Sequence, residues 1–259
     1  MARHFVHFVK WRRINMNQEP ISIIDVKRDA KKLMKGRLGT AIKINIIAII
    51  VTVTTLSMMT FTVYAMIKDT NLMSSADVSS TTTSLGLNPS EVIVSVLQDA
   101  AGLTFMWSVS WTIIDWFNNP KKNPRFIQTF QIFNNGKFPQ SLLLTVVQSM
   151  LTFLWTMLFT IPGLIKHYSY AQTYFSYKLD LDAGKQANAL TDYITRSRKI
   201  MNGRKWELFL LDLSFIGWHL LGILTAGLAY IYVIPYLNAT KVAYSRRLFK
   251  LNNEVSEEQ

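Results

Sequence analysis

The sequence predicts an all-α membrane protein, a polytopic bundle of six transmembrane helices arranged as three hairpins. Three observations lead to this fold class. The chain is 49% hydrophobic and still carries a net charge of +12, so apolar and basic residues must occupy separate stretches. Several apolar stretches approach or exceed the roughly 20 helical residues that cross a hydrocarbon core. The connections between them alternate between basic and acidic, as loops on opposite sides of a membrane do.

The N-terminal residues 1–22 form a basic arm that contains aromatic residues but no unbroken apolar region, so no cleavable signal is predicted. Two interpretations of this arm stay open, a segment on the membrane surface and a disordered extension. Residues 23–249 form the predicted membrane domain. Residues 250–259 form an acidic C-terminal tail.

The first apolar run, residues 42–67, holds a single ionisable side chain, Lys43, near its start. Its length predicts a membrane span; the alternative, a buried helix of a large soluble enzyme, does not account for the further runs. A second run covers residues 92–117. Two longer runs, 141–175 and 206–249, exceed one crossing and are too short for three.

Each of the longer runs contains a turn signal, Pro162-Gly163 in one and residues 225–228 in the other. Both are therefore predicted to be hairpins. The resulting six spans are about 41–67, 92–117, 141–160, 163–179, 206–224 and 227–248. Because the third and fourth spans are short for a crossing, a partly re-entrant arrangement of residues 141–179 remains an alternative.

The charges of the connections predict the topology. The stretch before the first span and those after the second, fourth and sixth spans are rich in Lys and Arg. The linker 69–91 has no basic residue and holds Asp69, Asp77 and Glu91. Since cytoplasmic loops carry the excess of Lys and Arg, both termini are predicted to be cytoplasmic and residues 69–91 extracellular. The predicted location is the plasma membrane, as a multi-pass protein.

A motif recurs before three of the spans, in the residues 31–37, 132–137 and 198–204, and each copy ends an amphipathic stretch. The apolar positions of these stretches are Ile23, Val26, Ala30 and Leu33, then Phe126, Phe130 and Phe133, then Tyr193, Ser197 and Ile200. Gly36, Gly136 and Gly203 suit the left-handed position that ends a helix. The pattern predicts a threefold unit of interfacial helix, span, turn and returning span.

Basic side chains flank these amphipathic stretches, as they do in helices that lie on a membrane surface. The predicted lipid-surface residues are Lys27, Arg28, Lys31, Lys32, Lys35, Arg37, Arg196, Arg198, Lys199 and Arg204. The predicted partner of these residues is a bilayer with anionic headgroups. Because the positive charge borders the spans, this explanation is simpler than nucleic-acid binding, which is not expected.

Polar side chains inside the spans are costly, so they are expected to face the bundle interior with a partner. The candidates for an ion pair or a ligand site are Asp99, Lys166, His167, Tyr170, Tyr174, Asp212, His219, Asn238 and Lys241. Their depths predict two pairs, Asp212 with Lys241 and Asp99 with Lys166. Two interpretations stay open, structural pairs that fix the order of the helices and a cavity that handles a ligand or an ion.

Three blocks of the sequence, residues 161–172, 197–222 and 235–244, resemble signature blocks of a bacterial integral membrane family. It is catalogued as domain of unknown function nine hundred seventy-five. The block that begins at Ser197 contains the pattern SR-x-x-M-x-G-x-K-W-x-x-F, and the stretch 27–42 is similar to the start of the family. The resemblance extends over about residues 23–249. It implies a helical membrane protein and brings no biochemical activity with it.

The sequence offers little for catalysis. It has no Cys and none of the common metalloprotease, hydrolase or phosphate-loop motifs. We therefore expect no catalytic residues, no cofactor and no metal site. The favoured function is a non-catalytic accessory protein that binds the anionic lipid surface and assists, regulates or protects a cell-envelope system; whether it has a membrane-protein partner stays open. The alternatives are a small membrane transporter or ligand-binding protein with an intramembrane polar cavity, and an enzyme acting on a membrane-embedded substrate.

Overall fold

A computed structural model describes residues 20–68, 88–134, 136, 138–187 and 189–257, and every regular element in these ranges is helical. The predicted all-α class is confirmed. Most of the N-terminal arm, the linker 69–87 and the last residues of the tail lie outside the described residues. In chain order the elements are α1 (Ile23–Met34), α2 (Leu38–Lys68), α3 (Pro89–Asn118), a 3-10 helix (Phe126–Phe130), α4 (Gln131–Asn134), α5 (Phe138–Leu158), α6 (Thr160–Tyr170), α7 (Thr173–Asp182), α8 (Thr191–Ile200), α9 (Lys205–Leu213), α10 (Ile216–Leu224) and α11 (Tyr230–Glu257).

Four helical segments of the described chain are long and apolar enough to cross a membrane: α2, α3, α5, and α9 with α10 taken together as Lys205–Leu224. They correspond to the first, second, third and fifth predicted spans. Most of the C-terminal half of α2 is exposed, with Met59 at 67% and Phe61 at 70%. Exposed apolar side chains on such a helix are what contact with lipid tails requires, which makes this the architecture of a membrane protein.

The other two predicted spans are not confirmed. The fourth, 163–179, is divided between α6 and α7 by a turn at Ala171-Gln172, and each helix alone is too short to cross. The sixth, 227–248, lies within α11 from Tyr230 onwards, and this helix has the length for a crossing but a more polar composition. Pro235 lies inside α11.

The long helix α11 is the centre of the fold, because α1, α2, α3 and α10 all pack against it. Its contact with α2 is antiparallel: Ala48 and Ile49 pack with Val233 and Ile234. Many of its side chains are fully buried, and they include Tyr236, Val242 and Tyr244. A helix with protein on most sides needs less apolar surface than one that faces lipid, which accounts for its polar composition.

The three repeated glycines adopt the predicted conformation. Gly36, Gly136 and Gly203 have φ values of 72°, 63° and 84°, in the left-handed region that only glycine enters without strain. In each case the next helix begins two residues later, at Leu38, Phe138 or Lys205. The threefold sequence repeat therefore corresponds to a structural repeat, in which a short helix stops and the chain turns into an apolar segment long enough to cross a membrane: α2, α5, or α9 with α10.

The apolar faces of α1 and α8 contact protein rather than lipid, which corrects the expectation that both faces lie on the bilayer surface. Val26 and Ala30 of α1 are fully buried, and so are Tyr193 and Ile200 of α8. α1 packs on α11, and α8 packs on α6 and α7. The periodicity of an amphipathic helix indicates that one face is covered, but not whether lipid or protein covers it.

The middle unit differs from the other two, because its aromatic side chains stay half exposed. Phe126 and Phe133 are each 42% exposed and Ile127 is 61% exposed. The ring of Phe130 lies between those of Phe126 and Phe133, with centroid distances of 5.5 and 6.2 Å. In this unit the predicted apolar face does point away from the core.

The turn between α5 and α6 lies at Phe159, three residues before the predicted turn at Pro162-Gly163. Phe159 is extended, and Pro162 occupies the first turn of α6, where its missing N–H costs nothing. Gly163 is needed for packing: a Cβ there would lie 2.6 Å from the Cα of Thr156 on α5. The glycine thus allows the two helices to approach closely.

Candidate functional site

The predicted pair of Asp212 and Lys241 is present. The ammonium of Lys241 on α11 lies 2.9 Å from the carboxylate of Asp212 on α9. The hydroxyl of Tyr168 on α6 donates to the other carboxylate oxygen at 3.3 Å. His167 lies beside this group, with its ring edge-on to Tyr168 at 5.6 Å. One carboxylate therefore joins three helices that are distant in the sequence.

A second polar contact closes the break between α6 and α7. Ser197 on α8 accepts a hydrogen bond from the backbone N–H of Gln172 at 3.0 Å. Its hydroxyl donates to the carbonyl of Ser169 at 2.8 Å. All three residues are buried. Because a buried backbone group without a partner is costly, Ser197 supplies partners that the interrupted helix lacks.

A third polar contact surrounds Arg204, which follows the left-handed Gly203. The guanidinium of Arg204 lies 3.2 Å from Glu207, and it is only 4% exposed. The hydroxyl of Tyr244 on α11 donates to the same carboxylate at 3.1 Å. Arg204 was predicted to lie on the lipid surface, and this was wrong. Its charge is instead neutralised inside the protein, where it holds the start of α9 against α11.

Of three other predicted candidates, Tyr170 and Asn238 are buried within the bundle and Tyr174 is partly buried. The hydroxyls of Tyr174 and Ser245 are 2.9 Å apart, and Ser245 also donates to the carbonyl of Lys241 at 3.0 Å. The amide of Asn238 donates to Asn45 on α2 at 2.8 Å, and both side chains are buried. Tyr170 is buried in the main apolar core. These contacts join helices and are those of a structural interior.

The predicted pair of Asp99 and Lys166 does not form. Asp99 is exposed on α3. Lys166 on α6 lies over the ring of Trp155, 4.2 Å from its centroid. The prediction placed both residues at a similar depth, but depth along a helix does not determine which side the residue faces. His219, another candidate, lies 3.4 Å from the hydroxyl of Tyr230.

Of the ten predicted lipid-surface residues, six are exposed: Arg28, Lys31, Lys32, Lys35, Arg198 and Lys199. Arg196 forms an ion pair with Asp180 at 3.0 Å. Lys27 turns towards the protein, where it donates to the carbonyl of Ser214 and lies 4.5 Å from the ring centroid of Phe215. Burial, and then the charge of Lys31, lower the pKa of Lys27 below its usual range.

A basic cavity of about 530 Å³ lies where α1, the start of α2, the end of α3 and the C-terminal half of α11 meet. Its charged lining residues are Asp29, Lys32, Arg37, Arg246, Arg247 and Lys250. Lys32 and Arg37 were predicted only to lie on the lipid surface, and the other four residues were not among the predicted site residues. The basic run 245–250 at the end of the predicted sixth span was the available signal. Nothing in the sequence indicated that it meets α1.

The polar contacts described above fall largely within one segment of the chain. Residues 173–252 match the model of the family described as Protein of unknown function (DUF975). These residues belong to that family. The DUF975 segment contains Ser197, Arg204, Asp212 and Lys241, which form the polar contacts described above. The match covers the C-terminal part of the broader range, 23–249, over which the resemblance was expected.

The partners of the DUF975 segment in α6, Tyr168 and Ser169, lie just before the matched residues. No curated protein and no solved structure matches the chain. The contacts around Asp212 and Ser197 satisfy the charges and backbone groups that they involve, which is what a structural role requires. Five of the basic residues on or next to α1 and α8, in contrast, are exposed and form no ion pair within the described part of the chain: Lys31, Lys32, Lys35, Arg198 and Lys199.

Proposed function

We propose that this chain is a non-catalytic integral protein of the plasma membrane that binds anionic lipid headgroups at the basic ends of its helices. It would have both termini in the cytoplasm and serve as an accessory that assists, regulates or protects a cell-envelope system. The observation that carries this proposal is the set of exposed cations on α1 and α8, helices whose apolar faces are fixed against the bundle.

The charge balance on these helices supports the proposal. Lys32, Lys35, Arg198 and Lys199 are exposed, and none of them forms an ion pair within the described ranges. Each basic residue near an anionic surface contributes about 1 kcal/mol to binding. α1 and α8 each pack on the bundle, so the cations of each helix keep fixed positions, which they would not do on a flexible loop. This arrangement favours attraction of anionic lipids over zwitterionic ones.

The test is to purify the full chain from membranes that contain phosphatidylglycerol and phosphatidylcholine, and to measure which lipids remain bound. We expect the retained lipid to be enriched in phosphatidylglycerol relative to the membrane, and the enrichment to fall at high salt. Replacing Lys31, Lys32, Arg198 and Lys199 with Gln should remove most of the enrichment while insertion stays intact. Retention of the two lipids in the membrane ratio by the parent chain would contradict the proposal.

A second candidate function, a transporter or ligand-binding protein with a polar intramembrane cavity, is favoured by a different observation. Gln148 and Ser149 on α5 are buried, and one side-chain oxygen of each has no hydrogen-bond partner within the described chain. They lie close to one face of a helix that is long enough to cross a membrane. Unpartnered buried polar groups are costly, so this stripe favours a hydrated or ligand-binding interior.

Cysteine accessibility tests this second candidate, since the chain has no native Cys. Ser149→Cys should react with a small water-soluble thiol reagent if the stripe is hydrated. Leu143→Cys, at a position 54% exposed on the same helix, is the matched control and should stay unreactive in lipid. Equal protection of both cysteines would count against the transporter.

A further inference from the structure

The basic cavity is set at the predicted cytoplasmic end of the first two spans. Arg37 immediately precedes α2, and Phe117 lies in the last turn of α3. The other walls come from α1 and α11, which pack on each other. In the predicted topology the cavity therefore opens at the level where lipid headgroups lie.

The lining carries an excess of positive charge. Among the described residues that line it, five side chains are cationic and Asp29 is the one carboxylate. Arg247 already binds Asp29, with its Nε and Nη2 atoms 2.9 and 2.6 Å from the same oxygen. Lys32, Arg37 and Arg246 form no ion pair within the described residues. An anion that enters the cavity would meet these three cations, none of which is held in an ion pair by a carboxylate of the described residues.

Two of the guanidinium groups are held in place. Arg37 donates to the carbonyls of Leu33, at 3.0 Å, and Pro120, and it lies over the ring of Trp116. Arg246 lies over the ring of Phe117, 4.8 Å from its centroid. Planar guanidinium groups that are already positioned suit the oxygens of a phosphate, because they can donate two parallel hydrogen bonds.

The rest of the lining is apolar and includes Leu33, Phe117 and Ala243. A volume of about 530 Å³ is within the range of small-molecule sites. Cations at one part of a cavity and apolar side chains at another match an amphiphile with a phosphate group. Basic pockets between membrane helices on the cytoplasmic side bind acidic headgroups of this kind.

We propose that the cavity between α1, α3 and α11 is a specific binding site for the phosphate-bearing headgroup of an anionic phospholipid. This rests on the proposed function and deepens it: the exposed cations attract anionic lipid in general, and this cavity selects one molecule. The phosphate could also come from a soluble glycerophosphate, which carries the same group without acyl chains. Asp29 holds Arg247 against the wall, and Lys32, Arg37 and Arg246 are the cations that the ligand would meet.

The experiment measures the thermal stability of the full chain in a neutral detergent while a short-chain lipid is added. The probes are dihexanoyl phosphatidylglycerol, dihexanoyl phosphatidylcholine and glycerol 3-phosphate. The test variant is Lys32→Gln with Arg246→Gln, which removes two cations from the cavity. The matched control is Lys121→Gln with Lys122→Gln, which removes the same charge from an exposed loop outside the cavity.

We expect phosphatidylglycerol, and not phosphatidylcholine, to stabilise the parent chain and the control with saturation. The test variant should need on the order of thirtyfold more phosphatidylglycerol, given the contribution of each of the two cations. An equal loss of affinity for phosphatidylglycerol in the test and control variants would contradict the cavity site, but it would not contradict the general binding of anionic lipid. Stabilisation by glycerol 3-phosphate alone, lost in the test variant, would support a phosphate site and overturn the lipid as its source. A parent chain that responds to none of the three probes would overturn the cavity site.

Discussion

Lys241 and Asp212 form an ion pair of 2.9 Å that ties α11 to α9 within the DUF975 segment. The hydroxyl of Tyr168 reaches the same carboxylate from α6, outside that segment. Asp212 therefore links α9 to α11 within the DUF975 segment, and it links that segment to α6, which precedes it.

Breaking this pair from one side should lower the stability of the protein in detergent. Asp212→Asn or Lys241→Met alone leaves one charge without its partner. We expect a loss of about 1–3 kcal/mol, less than for a fully buried pair, because the Lys241 side chain is 40% exposed. The combined substitution should recover most of the loss, as measured by thermal unfolding.

The double variant also separates a structural pair from a ligand site. Recovered stability with recovered function would support the accessory role, whereas recovered stability with lost function would support a ligand site. Single variants as stable as the parent would show that the pair contributes nothing and would remove the argument that it orders the helices.

Ser197→Ala removes only one hydroxyl group, but it should lower the thermal stability of the protein more than such a small change does at an exposed site. The substitution leaves the N–H of Gln172 and the carbonyl of Ser169 without the partner that Ser197 provides. Each buried group left unsatisfied costs about 1–3 kcal/mol. Thr195→Ala, an exposed position on the same helix, is the control and should change stability little. Equal thermal stability of the two variants would mean that the break between α6 and α7 does not depend on Ser197.

Gly203→Ala tests whether the repeated glycines act through backbone conformation. A Cβ at residue 203 would meet no atom within 4 Å, so any loss must come from φ, which is +84°. We expect a cost of about 1–2 kcal/mol. Gly39→Ala is the matched control: the position is equally open and lies in a helix, where Ala is favoured by roughly 0.5–1 kcal/mol. The expected result is opposite signs in thermal unfolding, and the same sign for both would contradict this explanation.

The predicted topology can be tested with single cysteines, because the chain has no native Cys. Ser80→Cys lies in the linker predicted to be extracellular and should react with an impermeant thiol reagent in intact cells. Lys121→Cys lies in a basic connection and should be protected until the membrane is opened. Protection at residue 80 together with labelling at residue 121 would reverse the orientation.

The sequence predicted those features that depend on local pattern. Apolar length predicted the long helices, and the position of each glycine before a span predicted the left-handed turn at Gly36, Gly136 and Gly203. The pairing of Asp212 with Lys241 followed from their similar distance from one end of a hairpin. Each of these predictions uses only residues from one continuous stretch of the chain.

Features that depend on which elements meet were missed. Arg204 has the sequence context of a surface cation and is buried, because Glu207 and Tyr244 surround it. The basic cavity requires α1 and α11 to come together from opposite ends of the chain. The turn at Ala171-Gln172 contains no proline or glycine that would predict it. The hydroxyl of Ser197 on α8 accepts a hydrogen bond from the N–H of Gln172 and so lowers the free-energy cost of this turn.

That serine has a consequence for how the protein is made. Gln172 leaves the ribosome 25 residues before Ser197, which at about 5–20 residues per second is a delay of roughly one to five seconds. During that interval the exposed peptide groups of Gln172 and Ser169 have no partner from α8. The segment 160–182 therefore has to wait in a hydrated or chaperoned environment. A nascent chain that is released before α8 is complete should therefore fail to insert stably into the bilayer.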